Sequence, residues 1–478
     1  MAFGQGSQIE ILHADQGILT KINGQNVQKL IGSVQLKQDS TLMYCDSAFF
    51  FTSTNSIQAF HHVRMISSEA QLYCDTLYYS GTTKLGTALG MVRFTNNQIQ
   101  LTTTELMFDR NQSVGTYTKR STIFDGESVI ESDRGKYFTK EDRFLFRKDV
   151  TVINPEYTIT SDTLVYFSKS QTSYFYGPTE IKNSQNRILC TWGWYNAETE
   201  IAQFSKRATV FGDSSMIVGD SLYYDRKRSD SRAYGNVVVS DSTQGITVWA
   251  QVARFNEAKG SGFFTGEPLA AMDMDVDSLF LKSQNFIIKS DSLNRRTFSA
   301  FTGVRFYRTD LQGRCDSLAY TESDSTIYLY RDPVVWSAKN QITGDSIRVQ
   351  LANMKMDKIY ISRNAFIISE DSLDYFNQIK GRNMVGHTTN GELTRVDVFG
   401  NGQTVYFGKD ETNKYIGMNS AECADMRIDL EQSDVTDITF LNKPKATLFP
   451  MSQSPEELQR MEGFNWRIKE RPISKDDL

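Results

Sequence analysis

The sequence predicts an all-β fold made of stacked, bent antiparallel hairpins, and three observations lead to this prediction. A six-residue pattern recurs along the chain at Cys45–Phe50, Cys74–Tyr79, Ser161–Tyr166 and Gly219–Tyr224. Within each copy, apolar and polar residues alternate with the two-residue period of a strand. Polar turn clusters arrive twice per repeat, so each repeat is interpreted as two strands joined by hairpins.

The second residue of the pattern gives the period of the repeat. It falls at positions 46, 75, 104, 133, 162, 191, 220 and 250, which gives six intervals of 29 residues and one of 30. Asp is replaced at three of these positions, by Thr104, Thr191 and Ala250. After residue 250 the spacing loosens, and the best assignments are Gln284, Asp316, Asp345 and Asp371. About twelve repeats are therefore predicted, stacked as one elongated array rather than as a globule with a single cleft.

The alternation changes phase inside each repeat, which predicts a bend in the strand. In the copy at Ala70–Tyr79, apolar or small residues stand at Leu72 and Cys74, and then at Leu77 and Tyr79. The last residue before the change is small, as the inside of a corner requires. A second column, 14 or 15 residues ahead, contains Gly32, Gly90, Gly177 and Gly235.

The inward side of the alternation predicts an apolar lining. Its members are Met43, Leu72, Leu77, Tyr79, Leu101, Leu106, Phe108, Ile130, Ile159, Leu164, Tyr166, Ile188, Ile217, Leu222 and Tyr224. Two sheets hinged along one edge need not close at the other edge. We therefore expect a trough that can hold acyl chains, with a core filled by its own side chains as the alternative.

Composition excludes several functions. The 52 basic and 57 acidic residues give a net charge of -5, which does not favour nucleic-acid binding. No stretch approaches the roughly 18 apolar residues that a membrane-spanning helix needs. The five cysteines form no CxxC pair and the four histidines have no partner at ligand spacing, so neither a metal nor another cofactor is expected. No catalytic motif stands out, and the chain is predicted not to be an enzyme.

The Asp column admits two interpretations. Repeated carboxylates could form a calcium ladder, but the glycine-rich nonapeptide that builds such sites is not found in the sequence. A short acceptor at a bend that satisfies a backbone N–H is the favoured interpretation. His61 and His62 are expected to lie on the surface or to line a strand.

The two ends of the chain differ from the repeats. Residues 1–8 are predicted to be a leader remnant or a disordered N-terminus, because Ala2–Gly4 has the small-x-small form that precedes a signal-peptidase cut. The repeat array is expected over 9–379, terminal β repeats or a cap over 380–450, and a helix with a tail over 451–478. Ser454–Glu457 reads as a capping box, which predicts a short C-terminal helix that stops at Gly463.

A resemblance to a known family emerges from these repeats. The pattern Gly-x-Val followed by Ile/Leu-x-small-Asp-x-Leu-x-Tyr, together with the opening Ile9–Asp15, resembles the OstA-like family over roughly residues 9–450. The ending Gly463–Arg467, followed by Arg471 and Pro472, is similar to that of long Bacteroidota-type OstA-like proteins. The resemblance implies an antiparallel β-jelly roll, often called a β-taco, in lipopolysaccharide transport of the LptA type.

From this resemblance we expect a non-enzymatic carrier in the periplasm that shields lipid A acyl chains in its groove, and association with the outer membrane is a further expectation. The implied partners are lipopolysaccharide, an inner-membrane extraction complex and an outer-membrane translocon, docked end to end by β-edges near residues 9–36. A structural or adhesive β-solenoid with a closed, packed core is the alternative function. A β-helix polysaccharide lyase or hydrolase is the weakest interpretation, because no pair of carboxylates stands apart from the Asp column.

Overall fold

The fold is given by a computed structural model. It describes residues 8–96, 99–273, 277–293, 295–352, 355–371, 375–389, 392–431 and 434–478. The predicted leader remnant, apart from residue 8, lies outside the described residues. The chain divides into two compact units: unit 1 comprises residues 1–213 and 218–227, and unit 2 comprises residues 214–217 and 228–478.

Unit 1 is built from strands that follow one another as hairpins. They are β1 Glu10–His13, β2 Gln16–Ile22, β3 Gln25–Gln38, β4 Thr41–Phe51, β5 Ser56–Ile66, β6 Ala70–Ser80, β7 Leu85–Asn96, β8 Ile99–Asp109, β9 Val114–Tyr117, β10 Ser121–Phe124, β11 Val129–Ser132, β12 Arg134–Phe138, β13 Arg143–Ile153, β14 Tyr157–Phe167, β15 Thr172–Asn183, β16 Arg187–Asn196 and β17 Ile201–Phe211. Strand β18, Ser215–Asp225, has residues in both units.

Unit 2 has the same construction. Its strands are β19 Asp230–Asp241, β20 Ile246–Asn256, β21 Ser261–Thr265, β22 Leu269–Asp273, β23 Ser278–Lys282, β24 Asn285–Ser290, β25 Arg296–Arg308, β26 Leu311–Thr321, β27 Thr326–Tyr330, β28 Val334–Ser337, β29 Asn340–Thr343, β30 Ser346–Ala352, β31 Lys355–Glu370, β32 Phe376–Thr389, β33 Glu392–Lys409, β34 Tyr415–Glu431, β35 Asp434–Leu441 and β36 Lys445–Pro450. The described helices are 3-10 turns at Glu257–Lys259, Met451–Gln453, Glu456–Leu458, Ile468–Glu470 and Lys475–Asp477. No helix among the described residues is long and apolar enough to cross a membrane.

The long strands pair antiparallel and bend at a bulge, as the sequence predicts. Between β5 and β6, Cys74 pairs with Val63 and Thr76 pairs with Phe60, so two residues of β5 lie opposite one residue of β6. The bulge divides each strand into two arms. Arm A contains residues 76–80 of β6 and their partners, and arm B contains residues 70–74 and theirs. Each unit is thus a bent antiparallel sheet of the jelly-roll type.

A left-handed backbone makes the corner. Gly32 and Gly90 have φ angles of 76° and 92° on the bulged strands β3 and β7. The same conformation recurs without glycine at three further corners of unit 1, in the pairs His61 and His62, Lys148 and Asp149, and Lys206 and Arg207. The predicted glycine column therefore accounts for only part of the corners. At the others, the paired strands on both sides keep non-glycine residues in the left-handed conformation.

The side chains of the Asp column lie opposite this corner and form hydrogen bonds or ion pairs with its residues. Asp75 accepts a hydrogen bond of 2.8 Å from the Met91 backbone N–H, which is the role expected of a short acceptor at a bend. Asp133 instead forms an ion pair of 2.8 Å with Lys148. Asp46 bonds to His62 Nδ1 at 2.8 Å, and this hydrogen bond raises the pKa of His62. Over the described ranges, no three His, Cys, Asp or Glu side chains converge to hold a metal ion.

The prediction of a C-terminal helix is wrong. Residues Glu456–Leu458 form a single 3-10 turn without a side-chain cap, and the Ser454 hydroxyl donates to the Met451 carbonyl instead of accepting from the turn. The capping box occurs later, at Ser474, where the side chain of Asp477 reaches back to the Ser474 backbone N–H. The segment stays irregular because its apolar side chains are pulled onto the sheet: Met461, Phe464 and Trp466 pack against Phe366, Ile368 and Phe376.

The C-terminal tail, residues 451–478, lies across the outer face of arm B in unit 2. By alternation, Ile367 faces the interior and Ile368 points outward, and both are buried. Three buried outward-facing glutamines bond to the tail: Gln378 donates to the Gln459 carbonyl, Gln341 to the Asn465 carbonyl, and Gln312 accepts from the Arg471 side chain. The tail therefore covers an apolar face that would otherwise meet water.

Candidate functional site

The interior of unit 1 is formed by two rows of side chains that run across the strands. The interior row of arm A, in order of pairing, is Phe50, Ile57, Tyr79, Gly86, Phe108, Gly115, Tyr137, Phe144, Tyr166, Ser173, Tyr195 and Ala202. The interior row of arm B is Leu36, Met43, Met65, Leu72, Phe94, Leu101, Ile123, Ile130, Val152, Ile159, Ile181, Ile188 and Val210. In arm A, large rings alternate with glycine from Tyr79 to Tyr137, which lets the rows interdigitate there. The alternation stops at Phe144, which lies between the large rings of Tyr137 and Tyr166.

The structure places the predicted lining residues in two groups. Ten are buried: Met43, Leu72, Leu77, Tyr79, Leu101, Leu106, Ile130, Ile159, Leu164 and Leu222. Five are half-buried: Phe108, Tyr166, Ile188, Ile217 and Tyr224. Four of these five lie after residue 165, and three of the four belong to unit 1. The interior of unit 1 is therefore filled over its N-terminal strands and becomes accessible over its later strands.

Buried hydrogen bonds close the arms over the N-terminal strands. Tyr79 of arm A donates to Gln38 Oε1 of arm B at 2.6 Å, and Gln38 Nε2 donates to the Gly81 carbonyl at 2.8 Å. Arg110 donates to the Tyr79 hydroxyl at 2.8 Å and to Thr41 at 2.6 Å. Burial raises the pKa of Tyr79, although Arg110 opposes the shift, so the hydroxyl keeps its proton for Gln38. We call Gln38, Thr41, Tyr79 and Arg110 the glutamine latch.

A second contact joins the arms further along. Asn96 of arm B donates to the Tyr137 hydroxyl of arm A at 3.0 Å. The Tyr137 ring stacks on Phe144 with centroids 4.1 Å apart and planes within 4° of parallel. Because Phe144 and its neighbour Phe146 are fully buried, the interior is closed at this point by packed rings.

The arms are held differently where the interior is accessible. Tyr157 of arm B and Tyr195 of arm A meet edge to face, with ring centroids 6.3 Å apart. Burial is the main cause that raises the pKa of Tyr157 to about 12 and the pKa values of Tyr166 and Tyr195 above their ordinary range. We call these three half-buried residues, Tyr157, Tyr166 and Tyr195, the tyrosine mouth, because their rings lie where the apolar interior becomes accessible.

Ion pairs at the surface flank the tyrosine mouth. Arg226 approaches Glu156 and Glu200 at 3.6 Å each, and the Glu156 side chain is largely exposed. Exposed pairs at this separation contribute little to stability, about 0 to 1 kcal/mol. The arms are therefore joined weakly at the tyrosine mouth and strongly at the glutamine latch.

The sequence alone did not distinguish the glutamine latch from the tyrosine mouth. Tyr157, Gln38, Asn96 and Arg110 were missed as interior residues, although Tyr157 continues the alternation of Ile159 and Ser161 and could have been found from it. The latch residues occur once and leave no repeat signal.

The five cysteines are free and buried in the corner, where burial raises the pKa of Cys74 to about 12, so this thiol is protonated at neutral pH.

Comparison with known proteins gives one family and several solved structures. Residues 6–162 match the family model described as OstA-like protein. Seventeen solved chains match, among them LptH from Pseudomonas aeruginosa, described as the LptA homologous periplasmic component of the conserved lipopolysaccharide transport device. That match has 14% sequence identity, covers 25% of this chain and 84% of LptH, and has a TM-score of 0.21. No curated protein matches the chain significantly.

Proposed function

The region of residues 6–162 is OstA-like, and on this premise we propose that the chain is a non-enzymatic, periplasmic lipopolysaccharide-transport protein that shields acyl chains between its two arms. The observation that carries the proposal is the apolar interior that becomes accessible at the tyrosine mouth. An acyl chain entering there would contact Ile181 and Ile188 on one arm and Tyr195 on the other. The weak ion pairs at the rim allow the arms to separate at a small cost in free energy.

Photocrosslinking tests this proposal along the interior. A photoreactive residue at Ile188 is expected to label lipopolysaccharide in cells, because this side chain is in the interior row and half-buried. The same probe at Thr160, which is exposed on the outer face of a nearby strand, is the matched control and should give at most background labelling. Equal labelling at the two positions would contradict the proposal.

The packed part of unit 1 favours a second candidate, a structural β-solenoid with a closed core. Its specific support is the burial of ten of the fifteen predicted lining residues. Mass spectrometry of the purified protein distinguishes the two functions, because a carrier is expected to retain lipid A and a closed solenoid is not. Lipid-free protein combined with no labelling at Ile188 would favour the solenoid.

We also propose that partners dock on the N-terminal edge of unit 1. Among the described residues, strands β1 and β2 pair only with β3, so their outer sides are available to another strand. Leu19 continues the interior row of arm A beyond Gln28 and is 79% exposed. A partner that adds strands here would cover Leu19 and continue the apolar interior.

Charge at this edge should block assembly without unfolding the protein. Leu19→Glu is expected to abolish end-to-end association in crosslinking and pull-down experiments, because a carboxylate would be buried at the junction. Met91→Glu is the control, since Met91 is 83% exposed on the outer corner of the same unit. Docking elsewhere is the conclusion if Leu19→Glu assembles as well as Met91→Glu.

A further inference from the structure

A groove runs along the outer corner of unit 2, where β25, β26 and β31 bend, β27 ends and β30 begins. Its volume is about 690 Å³, which lies in the range of ligand sites. Its lining residues are Phe301, Thr302, Asp316, Ser317, Tyr330, Arg331, Asp345, Ser346 and Arg363. None of these residues belongs to the interior rows or contributes to the proposed lipid path.

The floor of the groove alternates aromatic and small side chains. Phe301 pairs with Ser317, Ser317 with Tyr330, and Tyr330 with Ser346 across consecutive strands. The two rings are therefore two strand spacings apart, about 9.5 Å, with a serine between them. Phe301 is 39% exposed and Tyr330 is 42% exposed, so each presents part of its ring to the groove. The Tyr330 ring is aligned within 4° of the Tyr328 ring, which fixes its orientation.

The wall of the groove carries paired donors and acceptors. Arg331 and Arg363 occupy left-handed corner positions, with φ angles of 58° and 57°. Arg331 approaches Asp316 at 3.3 Å and Arg363 approaches Asp345 at 3.6 Å. Asp345 also accepts a hydrogen bond of 2.9 Å from the Asn364 side chain. Both guanidinium groups are mostly exposed, and these long contacts leave further N–H donors on each guanidinium and further lone pairs on each carboxylate.

The charges in the groove cancel, which argues against a strongly anionic ligand. Two guanidinium groups lie beside two carboxylates, so a phosphate would meet repulsion as well as attraction. A neutral hydroxylated ligand would use both partners, because a hydroxyl donates to a carboxylate and accepts from a guanidinium. Rings that carry C–H groups on their faces also pack on exposed aromatic side chains. Sugars combine these two properties.

We propose that this groove binds a neutral saccharide chain. Phe301 and Tyr330 stack against sugar rings, and the separation of the two side chains fits rings spaced along one oligosaccharide. The two Arg–Asp pairs bond to hydroxyl groups at the rim. The inference is independent of the proposed acyl-chain function, because it uses the outer corner of unit 2 and no interior residue.

Isothermal titration calorimetry of the full chain tests the proposal with linear, neutral tetrasaccharides of glucose, galactose and mannose. At least one is expected to bind. Tyr330→Ala and Phe301→Ala should each weaken that binding about tenfold, which corresponds to about 1.4 kcal/mol. Tyr78→Ala is the matched control, because Tyr78 is also 42% exposed but lies in unit 1. Its affinity should equal that of the unaltered chain.

Hydrogen exchange on the unaltered chain gives a second readout that does not depend on the folding of a variant. The bound saccharide should slow exchange within 299–318 and 328–348 and leave the strands of unit 1 unchanged. Absence of binding by every tetrasaccharide would overturn the proposal. Binding that protects other segments, that survives Tyr330→Ala, or that inorganic phosphate displaces would overturn it as well.

Discussion

Deletion of residues 451–478 is expected to destabilise unit 2 by about 5 kcal/mol or more, since burial of one large apolar side chain contributes about 1.5 to 3 kcal/mol and the tail contributes three. Met461, Phe464 and Trp466 pack on Phe366, Ile368 and Phe376, with the Phe376 and Phe464 rings 5.1 Å apart. The deletion would also remove the hydrogen bonds of Gln341 and Gln378 to the tail, and water would replace the tail as their partner on the uncovered face. The expected result is a lower denaturant midpoint and increased binding of a hydrophobic dye.

Single substitutions separate the effect of the tail contacts from the effect of shortening the chain. Trp466→Ala should lose about 2 to 3 kcal/mol because its ring packs on Phe376 at 5.3 Å. Ile473 lies in the same tail and is 79% exposed. Ile473→Ala is therefore the control and should change the free energy of unfolding by less than about 0.5 kcal/mol. Hydrogen exchange localises the loss, which is expected in β31 and β32. An unchanged exchange rate in these strands after the deletion would show that the tail does not support them.

Gly90→Ala is expected to destabilise unit 1 by about 3 kcal/mol, combining left-handed strain of about 1 to 2 kcal/mol with the loss of a hydrogen bond of about 1 kcal/mol. Gly90 has a φ angle of 92°, and a Cβ built on it would lie 2.6 Å from the Asp75 Cβ. Asp75 would have to move, which would break its bond to the Met91 N–H. Thermal and denaturant unfolding measure the loss.

Two comparisons isolate the contact with Asp75 from the strain at Gly90. Gly24 also has a positive φ angle, 80°, but a Cβ there would meet nothing within 4 Å, so Gly24→Ala should cost only the strain, about 1 to 2 kcal/mol. Asp75→Ala combined with Gly90→Ala should be less destabilising than the sum of the two single changes, because the hydrogen bond to the Met91 N–H can be lost only once and the truncation removes the contacts with Oδ2 and Cγ, although the Cβ contact stays. Strict additivity of the pair would argue that Asp75 is not the cause.

Local rules explain why the repeated part of the fold could be predicted. Leu72, Cys74, Leu77 and Tyr79 are all buried, and their positions follow from the two-residue period and its change of phase at the corner. The non-glycine corners could not be predicted, because the left-handed conformation of His61 or Lys206 is imposed by the neighbouring strands and not by the residue itself. Regularly spaced glycines can be recognised in a sequence. Other residue types that their neighbours force into the left-handed conformation cannot.

Long-range contacts explain the remaining differences. The glutamine latch joins Gln38 to Arg110 across 72 residues, and Gln378 bonds to the tail 81 residues away. Neither contact follows from periodicity, since each occurs once. The C-terminal helix was predicted from Ser454–Glu457 alone, but the apolar outer face of arm B competes for Met461 and Phe464 and prevents a regular helix. The same contacts decide which part of the interior is closed, and therefore where the candidate site lies.

The corner column gives the chain a way to change length during evolution. Left-handed residues stand at positions 32, 61, 90, 148, 177, 206 and 235, so neighbouring corners are separated by 29 residues or by twice that number. One such interval contains one hairpin, with one corner, one facing Asp-column position and two members of the arm A row. Duplication or loss of 29 residues therefore leaves every remaining side chain on the same face and opposite the same kind of partner. The jelly roll can grow or shorten in whole hairpins, each of about 9.5 Å, without redesign of its corner or its interior.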